Sequence, residues 1–152
     1  MKKILICFAV LILTAGTASA QRGLNSYPVF RGKVVPKDQM VTTEVRGWSM
    51  ATYKLDYYRG VHFKTDMPTA IKVAELVGAD AKAAVSCETE RVGDILTYAL
   101  IQPKPAGRIN RYLCYQAQRN GSSWSITILY LEGVATLDDL KNMFGKQENK
   151  ER

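Results

Sequence analysis

The sequence predicts an α+β fold, an antiparallel sheet of about five strands packed by two main helices. Residues 95–131 hold three strand-like runs separated by turn residues, which is typical of an antiparallel meander. Residues 41–64 hold two more strand-like runs, and apolar residues recur at helical spacing over 67–78 and 137–144. We therefore expect an N-terminal strand pair to complete the sheet, within a single domain over residues 41–146.

The chain begins with a pattern typical of a secretory signal peptide. Two lysines precede an unbroken apolar run over residues 4–13, and an A-x-A motif ends at Ala20. A membrane-spanning helix takes about 20 apolar residues, so this run is too short. We predict a signal peptide over residues 1–20, cleaved between Ala20 and Gln21. The protein is then exported, periplasmic or extracellular, with no transmembrane segment after signal removal and no lipid anchor.

Residues 21–40 are predicted to form an N-terminal arm, because their prolines and glycines interrupt both helices and strands. A short strand is predicted over residues 41–47. From 53 to 63, apolar and polar residues alternate, which is typical of a strand with one buried face. His62 falls on the polar face of that strand.

The first helix is predicted to start at Asp66, whose side chain can cap it, with Pro68 in the first turn and Gly78 at its end. Asp80 is predicted to cap a further helical turn. Residues 87–94 are predicted to form a solvated connector, which is the ordinary place for carboxylates spaced two residues apart. Their spacing does not match that of a calcium-binding loop.

The strand over residues 95–102 is apolar on both faces of the pleat, which predicts a position in the middle of the sheet. The strand over 109–118 is expected to turn back at Asn120-Gly121, a pair typical of type I′ hairpins, into a strand over 123–131.

The last helix is predicted to begin with a capping-box-like pair, Thr136 and Asp139. Gly145 is predicted to end this helix, and residues 147–152 are predicted to be a polar tail.

The charge balance is basic, with a formal net charge of +7 that falls to +5 when two lysines leave with the signal peptide. Such a surface suits an anionic glycan, an acidic peptide or an envelope protein; the alternative is ordinary solvation. No dense run of Lys and Arg is present, so no nucleic-acid partner is expected. Basic residues are enriched in 31–64, which supplies the binding-surface candidates Arg31, Lys33, Lys54, Arg59 and His62.

Two cysteines remain after signal removal, Cys87 and Cys114. An exported protein meets an oxidising compartment, in which this pair could form a disulfide. A bridge closing that loop would stabilise the fold by roughly 3–4 kcal/mol. The alternative, two buried thiols that act as small apolar side chains, stays open.

Four segments carry a resemblance to a known family, and they occupy residues 30–33, 47–59, 110–113 and 130–141. The first segment reads FRGK, and the second runs from Gly47 to the pair Tyr58-Arg59. The third reads NRYL, and the fourth reads YLEGVATLDDLK. In these segments the chain resembles a family of small exported Bacteroidetes proteins classed as a domain of unknown function. The resemblance implies an exported α+β domain and no known activity, ligand or catalytic residue.

Two classes of function stay open. The first is a non-catalytic binding or interaction module of the periplasm or cell envelope, and the alternative is a small hydrolase of unrecognised type. The sequence lacks the nucleophile-elbow, zinc-protease and phosphate-loop motifs, so we assign no catalytic residue, no metal ligand and no cofactor. An exposed row of aromatic side chains would favour the binding module, whereas buried aromatic residues would be ordinary sheet packing.

Overall fold

The computed structural model describes residues 23–148, and side chains as far as residue 143. The predicted signal peptide and its cleavage site between Ala20 and Gln21 lie outside these residues. The elements in chain order are α1 (Tyr27–Phe30), the 3₁₀ helix η1 (Lys37–Gln39), β1 (Met40–Arg46), the 3₁₀ helix η2 (Trp48–Tyr53), β2 (Leu55–Thr65), α2 (Met67–Lys82), β3 (Ser86–Val92), β4 (Ile95–Gln102), β5 (Asn110–Asn120), β6 (Ser123–Gly133) and α3 (Leu137–Glu148).

The strands form one antiparallel sheet in the order β1-β2-β6-β5-β4-β3, which confirms the α+β prediction. The described chain has six strands in place of about five. The additional strand is β3, in a segment for which the sequence pattern predicts a solvated connector. It pairs with β4 from Ser86 opposite Gln102 to Val92 opposite Ile95. Its charged residues suit an edge strand, where one side of the backbone and most side chains meet water.

The position of β4 corrects a second prediction. The middle of the sheet is the pair β5 and β6, and β4 lies next to the edge strand. Its apolar residues are nevertheless buried on both faces. Ala99 and Ile101 lie in the larger of the two hydrophobic cores, and Leu100, on the opposite face, is also buried. The double-sided apolar pattern therefore indicates burial on both faces and not a central position in the sheet.

Each face of the sheet has its own core. The larger core joins α2 and the N-terminal arm to one face, and the smaller core lies under α3 on the other. The smaller core contains Leu55, Tyr112, Leu131, Ala135 and Leu140, with Met50, Tyr58, Cys114, Leu137 and Met143 packed against it.

The start of β2 is irregular. Tyr53, predicted to lie in this strand, belongs to η2 instead, and Lys54 adopts a left-handed conformation with φ 58° before the strand begins. The pairing with β6 then shifts between Leu55 and Tyr57. This shift places Leu55 in the smaller core and Tyr57 in the larger one, so both side chains are buried on opposite faces.

The helix α2 starts as predicted, because the Asp66 side chain accepts a hydrogen bond from the Thr69 backbone N–H at 3.0 Å. The prediction that Gly78 ends it was wrong, since the helix continues to Lys82. A glycine within a helix costs only about 1 kcal/mol relative to alanine, and the apolar contacts of α2 with the larger core outweigh that cost. Asp80 therefore lies inside α2 and does not cap a separate turn.

The capping box of α3 is confirmed. The Asp139 N–H donates to Thr136 Oγ1 at 3.2 Å, and the Thr136 N–H donates to Asp139 Oδ2 at 2.8 Å. The predicted stop at Gly145 was wrong, because α3 runs to Glu148 and includes the first two residues of the predicted polar tail. As in α2, an internal glycine weakens the helix without ending it.

The β5–β6 hairpin differs from the predicted type I′ turn. Asn120 pairs with Ser123, so the two turn residues are Gly121 and Ser122. Gly121 has φ 63°, whereas Asn120 and Ser122 do not have positive φ. Glycine with positive φ at the first turn position is the pattern of a type II′ turn, which joins strands equally tightly.

Candidate binding surface

The basic residues predicted as a binding surface do not form one surface. Arg31 and Lys33 are exposed in the loop after α1, and Lys54 is exposed at the end of η2. Arg59 and His62 both lie on β2, but three residues apart along a strand they face opposite sides of the sheet.

Arg59 holds the N-terminal arm against the sheet. Its Nη2 donates to the backbone oxygen of Phe30 at 3.0 Å, and its guanidinium lies 5.7 Å from the centre of the Phe30 ring. Arg31, on the same arm, donates to the Tyr27 hydroxyl at 3.0 Å. These contacts give Arg59 a role in packing the arm, and of the predicted candidates Arg31 and Lys33 remain exposed on the arm.

Lys54 and His62 each contact a neighbouring side chain within the domain. The Lys54 ammonium lies 3.3 Å from an oxygen of Asp139, which links the β2 start to the first turn of α3. The His62 ring lies 2.8 Å from the Thr127 hydroxyl on β6, and its other cross-strand neighbour is Val41. Neither neighbour of His62 titrates, so the register builds no acid–base pair around the histidine.

The two cysteines are free thiols, and their positions argue against a bridge. Cys87 lies opposite Ile101 and Cys114 lies opposite Leu100, on the two sides of β4. Because Leu100 and Ile101 are consecutive residues of one strand, the two cysteines face opposite sides of the sheet. Burial raises the pKa of the Cys114 thiol to about 12, whereas Cys87 is exposed on the edge strand.

We expect the two thiols to react at very different rates in the folded protein. Cys87 is exposed to the reagent and should be labelled quickly at pH 8. Cys114 should react only after unfolding, because burial shields it and raises its pKa, and the thiolate is the reactive form. Mass spectrometry after a short iodoacetamide pulse would show one modified site, and Cys87→Ser should abolish it. A reductant-dependent change in gel mobility would show instead that the two residues are bonded.

Most of the aromatic residues are core and not a binding row. Tyr57, Tyr112, Tyr115 and Tyr130 are buried, and Tyr57 packs edge-on to Tyr130 with 6.1 Å between ring centres. These residues match the alternative of ordinary sheet packing, and they do not form the exposed row that would favour a binding module. Among the side chains described, two large exposed aromatic residues belong to η2, where Trp48 is 90% exposed and Tyr53 is 51% exposed.

We define the Trp48 surface as Trp48 and Tyr53 of η2 with the flanking cations Arg46 and Lys54. The fold holds this segment in place at both ends. Gly47 enters the segment with φ 90°, and its carbonyl accepts from the Met50 N–H at 3.1 Å, while the Lys54 N–H donates to the Ala51 carbonyl at 2.9 Å. Met50, between them, packs into the smaller core.

Arg46 connects the Trp48 surface to a hydrogen-bonded network on β1 and β2. Its guanidinium lies 4.3 Å from the centre of the Tyr57 ring and donates to the Glu44 carboxylate at 3.0 Å. The Tyr57 hydroxyl donates to the same carboxylate at 3.1 Å. Burial and the neighbouring Glu44 charge raise the pKa of Tyr57, so its hydroxyl remains a donor at neutral pH. The network holds the Arg46 guanidinium against Tyr57 and Glu44, two residues before Trp48 in the chain.

Sequence reasoning missed Trp48 as a surface residue. Tryptophan is usually buried in large part, and nothing in the local pattern marks this one as exposed. The available signal was the Gly47-Trp48-Ser49 break between two predicted strands, since connections between strands lie at the surface.

The described residues also form a groove between α2 and the β3–β4 turn. Its lining combines apolar residues such as Ile71 and Ile95 with the charged side chains of Glu75, Lys82, Arg91 and Asp94. Within the described residues, no group of three or more His, Cys, Asp or Glu side chains lies close enough together to hold a metal ion. In the same range no helix is both long and apolar enough to cross a membrane.

A protein-family model described as "Family of unknown function (DUF6108)" matches residues 13–144. Neither a curated protein nor a solved structure matches the chain.

Proposed function

We propose, from the premise that this chain belongs to the DUF6108 family of unknown function, that it is an exported, non-catalytic binding module of the cell envelope. The Trp48 surface is its contact site. The partner is an envelope protein, a peptide or an anionic glycan. Export follows from the predicted signal peptide over residues 1–20, whose removal leaves Gln21 as the first residue.

The exposure of Trp48 is the observation that supports this proposal. An indole left almost entirely in water has no packing role in the domain, and tryptophan is among the residues that contribute most to binding when covered by a partner. The second tryptophan, Trp124, is 6% exposed and belongs to the larger core. The two tryptophans therefore differ in environment: Trp124 packs in the larger core, whereas Trp48 lies at the surface.

The flanking cations support an anionic or mixed partner. Arg46 lies two residues before η2 and Lys54 directly after it, and both side chains are exposed. Each also contacts a carboxylate of the domain, Arg46 that of Glu44 and Lys54 that of Asp139. An aromatic face beside fixed cations can stack on a sugar ring or an apolar side chain while the cations meet carboxylate or sulfate groups.

Trp48→Ala should abolish binding without loss of stability. Because Trp48 is so exposed, we expect the free energy of unfolding to change by less than about 0.5 kcal/mol. Retention of a partner from the cell's own envelope fraction, or of an immobilised sulfated glycan, should fall at least tenfold. N-terminal sequencing of the protein recovered from that fraction should begin at Gln21.

The matched control is Val134→Ala, which truncates another exposed apolar side chain, 66% exposed and outside η2. Val134→Ala should retain the same ligand as the wild type. If the two variants bind equally well, Trp48 is not the contact. Fluorescence gives a second measurement, because binding at Trp48 shifts the emission of the exposed indole and Trp48→Phe should remove that shift.

A further inference from the structure

The outer edge of β1 is an uncovered hydrogen-bonding edge. In the described sheet β1 is an end strand, and its ladder with β2 runs without a register shift from Met40 opposite Phe63 to Arg46 opposite Tyr57. Most of its side chains are exposed, including Val41 at 67%. A regular edge of this kind offers unpaired backbone groups to another strand.

The opposite end of the sheet is protected in the usual ways. The β3 strand has a register shift between Glu90 and Arg91, and it carries the exposed charges of Glu90 and Arg91. Its Glu88 carboxylate is bonded by the Lys141 ammonium of α3, so a helix side chain also reaches this edge strand. By contrast, β1 has no bulge, no proline and no lysine. Its charges, Glu44 and Arg46, bond each other at 3.0 Å. The two edges therefore differ, and β1 is the one suited to pairing.

The backbone direction shows which residues of β1 would make the new bonds. The Gly47 N–H donates to the Asp56 carbonyl at 3.0 Å, which continues the β1–β2 ladder. Hydrogen-bonding direction alternates along an antiparallel strand. The N–H and C=O groups of Thr43 and Val45 therefore point to β2, whereas those of Thr42 and Glu44 point away from the sheet.

We infer that β1 pairs antiparallel with β1 of a second copy of this chain, about a two-fold axis at Thr43. In this register the whole strand is paired, and Thr42 lies opposite Glu44 of the second copy, so the outward-pointing groups of both residues exchange hydrogen bonds. On the other face Val41 lies opposite Val45 of the second copy. The apolar contact occurs twice and covers the exposed Val41.

The neighbouring registers are less complementary. An axis at Glu44 would set two carboxylates against each other, and an axis at Arg46 would do the same with two guanidinium groups. An axis at Val45 would pair Glu44 with Arg46 of the second copy, but it joins only residues 44–46 of each strand. The Thr43 axis is the register that combines full overlap with no like charges in opposition.

This inference does not rest on the proposed function. The pairing uses the backbone of residues 40–46, whereas the Trp48 surface takes only the Arg46 side chain from that strand. Loss of ligand binding in Trp48→Ala and loss of self-association in β1 variants are separate measurements, so either proposal can fail alone.

A matched pair of substitutions at Thr42 tests both the partner and the register. In the proposed dimer Thr42→Glu places a carboxylate opposite Glu44 of the second copy, twice, whereas Thr42→Lys places an ammonium there. We expect the dimer dissociation constant to rise about tenfold for Thr42→Glu and to fall for Thr42→Lys, with Thr42→Gln close to wild type. Raising the salt concentration should shrink the difference between the charged variants.

Sedimentation equilibrium of the purified protein over a range of micromolar concentrations measures these constants. Thr42 is exposed, so equal thermal unfolding midpoints would show that each variant keeps its fold. A single-copy mass at every concentration, a mass beyond two copies, or equal shifts for Thr42→Glu and Thr42→Lys would each overturn the inference.

Discussion

Gly133→Ala is expected to destabilise the fold by about 3 kcal/mol, through overpacking that the backbone cannot relieve. A Cβ at this position would lie 2.4 Å from the Lys54 carbonyl oxygen and 2.6 Å from the Leu55 Cα. Both are main-chain atoms, so neither can rotate away. The same carbonyl accepts the Ala135 N–H at 2.9 Å, which joins the end of β6 to the start of β2.

The displacement would also disturb the smaller core. Ala135 O accepts the Tyr112 hydroxyl at 2.6 Å and the Asn110 amide at 3.1 Å, and Leu55 packs in the same cluster. Urea unfolding followed by circular dichroism measures the effect. The shift should appear as a lower midpoint with an unchanged slope.

Gly78→Ala is the matched control, because a Cβ on Gly78 meets no atom within 4 Å and the residue lies inside α2. That variant should be neutral or more stable by up to about 1 kcal/mol, since alanine favours helix more than glycine. Equal destabilisation of the two variants would show that the close approach at Gly133 is not what requires glycine there.

Asp80→Ala is expected to cost about 2–4 kcal/mol and to release the N-terminal arm. Asp80 is 4% exposed, and its carboxylate accepts from the Asn25 N–H at 2.6 Å, the Asn25 side-chain amide at 3.1 Å and the Ser26 N–H at 3.0 Å. Removing the carboxylate leaves the buried Ser26 N–H without this acceptor. The arm residues Leu24, Val29, Phe30 and Val35 would then lose their place in the larger core.

Hydrogen exchange would separate local release of the arm from global unfolding. In Asp80→Ala the amides of residues 24–30 should exchange faster than those of the central strands. Asp80→Asn keeps one acceptor oxygen and should be intermediate, while Asp94→Ala, which truncates an exposed aspartate in the β3–β4 turn, should behave like wild type. Unchanged protection of the arm in Asp80→Ala would show that the Asp80 carboxylate does not hold the arm in place.

Local patterns were sufficient for several elements. The alternation over residues 53–63 predicted that β2 has one buried face, and Asp66 and the Thr136–Asp139 pair marked two helix starts through hydrogen bonds within one turn. The misplaced helix ends show the limit of the same reasoning. Gly78 and Gly145 are unfavourable within a helix by about 1 kcal/mol each, a cost that favourable interactions elsewhere in the molecule can exceed.

The proposed sites depend more strongly on the tertiary structure. Arg59 was predicted as a surface candidate, yet the arm that folds over it turns it into an anchor for Phe30. Trp48 was not selected, because exposure depends on what the rest of the chain covers. Cys87 and Cys114 appeared as a plausible pair until the intervening strand β4 placed them on opposite faces.

By itself the sequence determined the α+β class, most of the strands and the helix starts, because hydrophobic period, turn residues and caps act within a few residues. Only the tertiary structure decided the strand order and the position of β3 at one edge of the sheet. It also decided the hydrogen bonds from the N-terminal arm to Asp80, the close approach of the backbone at Gly133 and the exposure of Trp48. Each of these joins segments distant along the chain, or depends on what such segments leave uncovered, and no local pattern records which segments meet.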